Sequence, residues 1–185
     1  MINYYLGYIG YSLLKKLTNY AKYTGLINYV SNNYDFYINY VDDNLAVSNL
    51  PKESHKHEIE KFDVVIGFLS KDEYGDHLTQ WIDKLPNVKY YHIPVTDYTP
   101  PQQGDYNIFL RILDENKNKK ILVHCYAGKG RSNCGAVAYL MSKGYSYEEG
   151  LDRVRQRIPR SGMNRWQLDS LVKLSKNIRG SMDDT

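Results

Sequence analysis

Cysteine is nearly missing from this chain, with 2 in 185 residues, so no disulfide scaffold holds it together and a reducing compartment, cytoplasmic or similar, is the simplest expectation. Histidine is scarce and scattered. His55, His57, His77, His92 and His124 form no Cys/His set at zinc spacing, and neither a metal nor a cofactor is expected. No apolar run approaches the ~20 residues of a spanning helix. The partly apolar start, Met1 to Gly10, has no basic stretch before it and is interrupted by Lys15 and Lys16, so no transmembrane segment is expected. Charge of one sign is lacking too. Lys plus Arg number 24 against 21 Asp plus Glu, which argues against a nucleic-acid partner while leaving room for a local basic site that meets an anion. The 42% hydrophobic content and the length suffice for one domain with a real core.

What is present alternates between strand and helix patterns. Leu6, Ile9, Leu13, Leu17 and Tyr20 mark one face of an amphipathic helix in an N-terminal segment, residues 1–30. Strands are expected at Phe36 to Val41, at Asn44 to Asn49 before Pro51, at the apolar run Phe62 to Leu69, at Tyr90 to Val95 and at Ile121 to Val123. Helices are expected over residues 104–116, carrying Ile108, Phe109, Ile112 and Leu113, and then around Val137, Leu140 and Met141, ending at Gly144. Ser146 and Glu149 make a capping box opening a helix with Leu151, Val154 and Ile158, stopped at Pro159. A last helix carries Trp166, Leu171, Val172 and Leu174. The pattern predicts an α/β domain over residues 31–180, with a central, mostly parallel sheet flanked by helices.

The chemistry concentrates in Val123-His124-Cys125-Tyr126-Ala127-Gly128-Lys129-Gly130-Arg131-Ser132. A loop between a buried strand and a helix N-terminus aims several N–H groups into one concavity, and the helix dipole adds positive potential. Gly128 and Gly130 permit the turns this requires. A thiolate at Cys125 is stabilised by the same N–H groups. Arg131 offers a planar fork that matches two phosphate oxygens. Cys125, Tyr126, Ala127, Gly128, Lys129, Gly130 and Arg131 therefore read as a phosphate cradle around a nucleophile, and thiolate plus cradle predicts attack on phosphorus and a phosphocysteine. The leaving oxygen needs a proton. Asp97, after the strand ending at Val95, is the candidate acid, with Asp105 as the alternative. Ser132 is placed to hydrogen-bond the sulfur and help it leave.

These residues resemble the cysteine-dependent protein-tyrosine-phosphatase superfamily, in its small dual-specificity branch. The likeness runs from about Asp43 to Leu174 and includes the helix Ala138 to Ser142 and the strand before Pro51. The resemblance implies Cys125 as nucleophile, Arg131 as phosphate ligand and Asp97 as general acid. It departs at Asn133, where many members have a small residue. The implied substrate is a phosphorylated protein, at phosphotyrosine and phosphoserine/threonine. Ala127 to Arg131 is also similar to the loop of phosphoinositide 3-phosphatases, in which the loop Lys binds a polyanionic head group. A phosphoinositide, phosphatidylglycerophosphate or an RNA 5′-phosphate is therefore the alternative substrate, and an inactive phosphate-binding scaffold is the alternative of another class.

Blander roles stand beside these. Cys134 reads as a packed core thiol before it reads as a disulfide partner of Cys125. His124 reads as a residue shaping the loop rather than a catalyst. Lys129 is either a solvated charge or a substrate contact. Arg153, Arg155, Arg157, Arg160 and Arg165 form a basic cluster, by default a solvated face, otherwise a second anion or membrane-surface site. Gln167 is either a water-orienting group or a helix-surface residue. For the N-terminal helix, packing on its own domain competes with homodimer formation and membrane docking.

Overall fold

In the computed structural model the chain divides into Met1–Asp35 and Phe36–Thr185, and the structure describes residues 35–75 and 79–183. The N-terminal helix expected over residues 1–30 lies outside the described residues.

Five strands are described: β1 (Ile38–Tyr40), β2 (Leu45–Ser48), β3 (Val64–Leu69), β4 (Lys89–Pro94) and β5 (Ile121–His124). They form one sheet in the order β1-β2-β5-β3-β4. β2, β5, β3 and β4 run parallel, and β1 joins antiparallel at one edge. The expected mostly parallel sheet is therefore present, with β5 at its centre. The helices are α1 (Lys56–Ile59), α2 (Lys71–Gly75), α3 (Gln103–Glu115), α4 (Arg131–Ser142), α5 (Tyr147–Arg157) and α6 (Arg165–Asp183).

The two-residue period of the strands divides the core. Leu45, Val47, Val64, Ile66, Phe68, Ile121 and Val123 face a large layer that includes side chains of α3, α4, α5 and α6. Ala46, Val65 and Leu122 face a smaller layer with Ile59, Phe62, Ile82, Leu85 and Val88. The same alternation sets the site. His124 extends the Leu122 side, and Cys125 joins the larger core. The capping box at Ser146 forms as expected: Ser146 Oγ accepts from Glu149 N at 3.2 Å, and Glu149 Oε2 accepts from Ser146 N at 2.8 Å.

Three apolar assignments differ. α3 buries Tyr106, Phe109, Ile112 and Leu113, whereas Ile108 is exposed. Trp166, at the start of α6, is exposed as well, and Val172 is half-buried while Leu171 and Leu174 form the packed stripe. A helical stripe is narrow, and each of these residues lies one position off it. Cys134 is a buried core thiol, and burial pushes its ionisation up. Among the described residues, no helix is long and apolar enough to cross a membrane.

Candidate active site

Cys125 follows the last residue of the central strand, and α4 begins at Arg131, so Cys125 to Gly130 form the loop at the C-terminal edge of the sheet, where α/β folds place ligands. Gly128 has φ +67, a left-handed conformation natural to glycine. Cys125 Sγ accepts the Gly128 N–H at 3.2 Å and lies 3.3 Å from Ser132 Oγ.

Each carbonyl of the loop is bound by a donor. Tyr126 O accepts from Leu50 N at 3.0 Å, Lys129 O from Gly162 N at 2.8 Å and Gly130 O from Cys134 N at 3.0 Å. Ala127 O and Gly128 O face the Tyr37 hydroxyl at 3.1 and 2.9 Å. Gly128 O also accepts from Asn133 Nδ2 at 3.0 Å, which accounts for the departure at Asn133. In a trans peptide the N–H points opposite to its C=O, so outward carbonyls turn the following N–H groups inward. The Gly128 N–H on the sulfur shows this directly. Of the nest expected over Tyr126 to Gly130, the Gly128 N–H is the one seen on the sulfur, and Lys129 is exposed on the loop's rim.

Arg131 is 1% exposed and surrounded by acceptors. Its Nη1 donates to Glu73 Oε2 at 2.6 Å and to Val95 O at 3.0 Å, and its Nη2 donates to Glu73 Oε1 at 3.0 Å. Nη2 also lies 2.9 Å from Asp97 Oδ1. Its Nε is buried without a hydrogen-bond partner, a charged donor directed at no protein group. The two carboxylates differ. Glu73 grips with both oxygens and is 19% exposed, whereas Asp97 touches with one and is 51% exposed. Burial alone would raise the Glu73 ionisation, but Arg131 and the Ser70 donors outweigh it and hold the carboxylate below its ordinary range. Burial shifts Asp97 the other way, upward, with the Glu73 charge adding to it and Arg131 only partly opposing. Glu73 is thus the fixed counter-ion, and Asp97 is the carboxyl biased toward holding a proton.

Sequence reasoning missed Glu73. Its signal was Ser70-Lys71-Asp72-Glu73, a capping box directly after β3: Ser70 N donates to Glu73 Oε2 at 2.6 Å, and Glu73 N to Ser70 Oγ at 3.2 Å. Tyr37 was missed as well, because its contacts lie across the sheet edge. Asp105, the alternative acid, is committed elsewhere: its carboxylate accepts Gln102 N at 2.8 Å in the cap of α3, while Asp97 is the one that meets Arg131.

His124 is fully buried, with Nε2 3.2 Å from Tyr90 Oη and Nδ1 3.4 Å from Cys125 O. Burial depresses its pKa from 6.5 to about 4, so it stays neutral at pH 7 and shapes the strand end. Gln167 opens α6 in a reciprocal cap: Asn164 N donates to Gln167 Oε1 and Gln167 N to Asn164 Oδ1, both at 3.0 Å. Its Nε2 donates to Thr99 O at 3.2 Å, and Asn164 Nδ2 to Tyr98 O at 2.8 Å, so α6 braces the loop that carries Asp97. The arginine cluster splits. Arg153 and Arg157 line a surface cleft with Tyr40, Asp42 and Asp43, while Arg160 stacks over the Tyr37 ring at 5.2 Å.

A buried strand, a thiol that meets an amide N–H and a hydroxyl, and a paired arginine at the start of the following helix are the features of a class, the cysteine-dependent phosphatases. Residues 39–170 match the family described as the PTP-SAK (Swiss Army Knife) DSP-PTPase phosphatase domain, and the chain belongs to this family, in the dual-specificity branch of the protein-tyrosine-phosphatase superfamily. It is 39% identical over 79 residues to a dual specificity protein phosphatase of monkeypox virus, covering 40% of this chain and 46% of the relative. The chain thus spans about half the length of that curated relative. The crystal structure of Tk-PTP in its active form superposes with a TM-score of 0.69 at 32% identity, covering 75% of this chain and 96% of that one. PTPMT1 in complex with PI(5)P superposes with a TM-score of 0.66 at 17% identity, covering 78% and 98%, and shares the fold alone.

Proposed function

We propose that this chain hydrolyses phosphate monoesters of phosphotyrosine and phosphoserine/threonine in proteins through a phosphocysteine intermediate. One observation carries the reading: at the first residue of α4 the Arg131 guanidinium keeps a buried Nε–H without a partner, and the loop before it sets the Gly128 N–H on Cys125 Sγ at 3.2 Å. A phosphate dianion supplies acceptors to both. It competes with the single Asp97 contact on Nη2 and leaves the two-point Glu73 grip in place. The arriving negative charge also favours protonation of the displaced Asp97.

Sulfur then attacks phosphorus, the ester oxygen departs with the Asp97 proton, and the phosphoryl group stays on Cys125. Arg131 and the loop N–H groups hold the equatorial oxygens throughout. Asp97, now a carboxylate, takes a proton from water as the water attacks phosphorus, the P–S bond breaks to return the Cys125 thiolate, and the Ser132 hydroxyl, 3.3 Å away, donates a hydrogen bond to that sulfur. Phosphate release from phosphotyrosyl and phosphoseryl peptides, with Cys125→Ser as control, tests the reading. Release by the parent and none by the variant is expected. Equal release by both contradicts it.

Exposed Lys129 on the rim favours a second reading, a phosphoinositide substrate, because it adds a cation beside the cradle. Comparison of kcat/KM for phosphopeptides and phosphoinositides decides between them, with Lys129→Ala selectively impairing the lipid if that reading holds.

A further inference from the structure

Tyr37 lies just before the stretch that matches the family, yet strand register brings it to the nucleophile. Ile38 pairs with Ser48, and Ser48 pairs with His124. One residue further along this row stand Tyr37, Asn49 and Cys125, because β1 runs antiparallel and presents its N-terminal end where β2 and β5 present their C-terminal ends. Asn49 Oδ1 accepts the Tyr37 backbone N–H at 3.2 Å and secures the position.

The Tyr37 phenol has one proton to donate, shared between Gly128 O at 2.9 Å and Ala127 O at 3.1 Å. Those carbonyls belong to the peptide units whose N–H groups are those of Lys129 and Gly128. The fit is close: a Cβ on Gly128 would run into the Tyr37 hydroxyl and come within 2.8 Å of Asn49 N. On the other side Asn133 Nδ2 holds the same Gly128 carbonyl at 3.0 Å. We propose that Tyr37 is a positioning residue of the catalytic loop, pinning two consecutive peptide units so that the Gly128 and Lys129 N–H groups face the Cys125 sulfur and its phosphate, with Asn133 acting on the shared carbonyl. The inference rests on the phosphocysteine reading. Burial, and next the Cys125 charge, push the Tyr37 phenol up to about 12 against the opposing Arg160, which keeps it a donor across the working pH range.

The test uses the full chain and Tyr37→Phe, which keeps the ring and removes only the hydroxyl. Three quantities are read: the pH profile of Cys125 alkylation by iodoacetamide, kcat and KM with p-nitrophenyl phosphate, and the thermal midpoint. Loss of one shared hydrogen bond to the loop is expected to move the alkylation midpoint up by about one pH unit and to lower kcat/KM about tenfold, with the thermal midpoint nearly unchanged. Asn133→Ser is expected to act in the same direction, and the double variant to lose less than the product of the two, because both act on one carbonyl. An alkylation profile and kcat/KM equal to the parent's, or a drop in thermal midpoint alone, overturns the inference while leaving the reading intact. A parent that shows neither turnover nor a pH-dependent reactive thiol overturns both.

Discussion

At the scale of single residues, the site works through contrasts between neighbours of the same type. Cys125 meets an N–H and a hydroxyl, while Cys134 is sealed in the core with its ionisation pushed up. Glu73 and Asp97 share one guanidinium, yet one is held ionised and the other is shifted toward its neutral form. Asp97→Asn is therefore expected to slow esters with poor leaving groups by roughly 100-fold or more and activated aryl phosphates far less, measured as the dependence of kcat on leaving-group pKa. A uniform slowing across all esters contradicts the assignment. The raised Asp97 ionisation also fixes a sign: activity falls as pH rises through it, and this alkaline limb of kcat disappears in Asp97→Asn. Cys125, Arg131 and the glycines were legible in the sequence because they sit on one contiguous loop whose chemistry is local. Glu73 and Tyr37 act across strands, and no local pattern pairs either with residue 131 or 128.

At the scale of elements, a short helix and a strand glycine support that chemistry. α2 is brief, and the reciprocal bonds between Ser70 and Glu73 organise it. Ser70→Ala removes the Oγ acceptor of Glu73 N and keeps the Ser70 N–H on the Glu73 carboxylate, so it is expected to cost about 1 kcal/mol of stability and to weaken inorganic phosphate inhibition several-fold by loosening the turn that carries the Arg131 counter-ion. Unaltered inhibition would separate the cap from the site. Gly67 in β3 lies beneath the Tyr90–His124 pair, and a Cβ there would collide with Tyr90 Oη and come within 2.8 Å of His124 Nε2. Gly67→Ala is expected to destabilise the fold by roughly 1–3 kcal/mol and to lower kcat by disturbing the residue before Cys125, checked by urea unfolding and steady-state kinetics. Parent-like stability and kcat contradict that packing. The β3 run was legible as a buried strand from its apolar content, but the purpose of its glycine appears only once Tyr90 and His124 meet above it.

At the scale of the molecule, burial of a neutral histidine under the site ties stability to acidity. His124 falls from 6.5 to about 4 on folding, so the unfolded chain binds the extra proton and stability drops as pH descends through that window. The loss is roughly 3 kcal/mol by pH 4, and His124→Gln is expected to remove it, as read from urea midpoints between pH 7 and pH 4. An equally steep acid limb in the variant contradicts the assignment. The alternation of strand and helix in the sequence carried the α/β class and the parallel sheet, because each period is local. The strand order was not readable, since it depends on which buried strand takes the centre, and with it went the row that aligns Tyr37, Asn49 and Cys125.

The measurement closest to the central claim is a rapid acid quench of Asp97→Asn turning over a labelled aryl phosphate, followed by peptide mapping. An activated leaving group departs unaided while hydrolysis of the intermediate is slowed, so label is expected to accumulate on the peptide containing Cys125, approaching one phosphate per chain, and to be absent in Cys125→Ser. Turnover with no covalent label, or label on any other residue, would contradict the account.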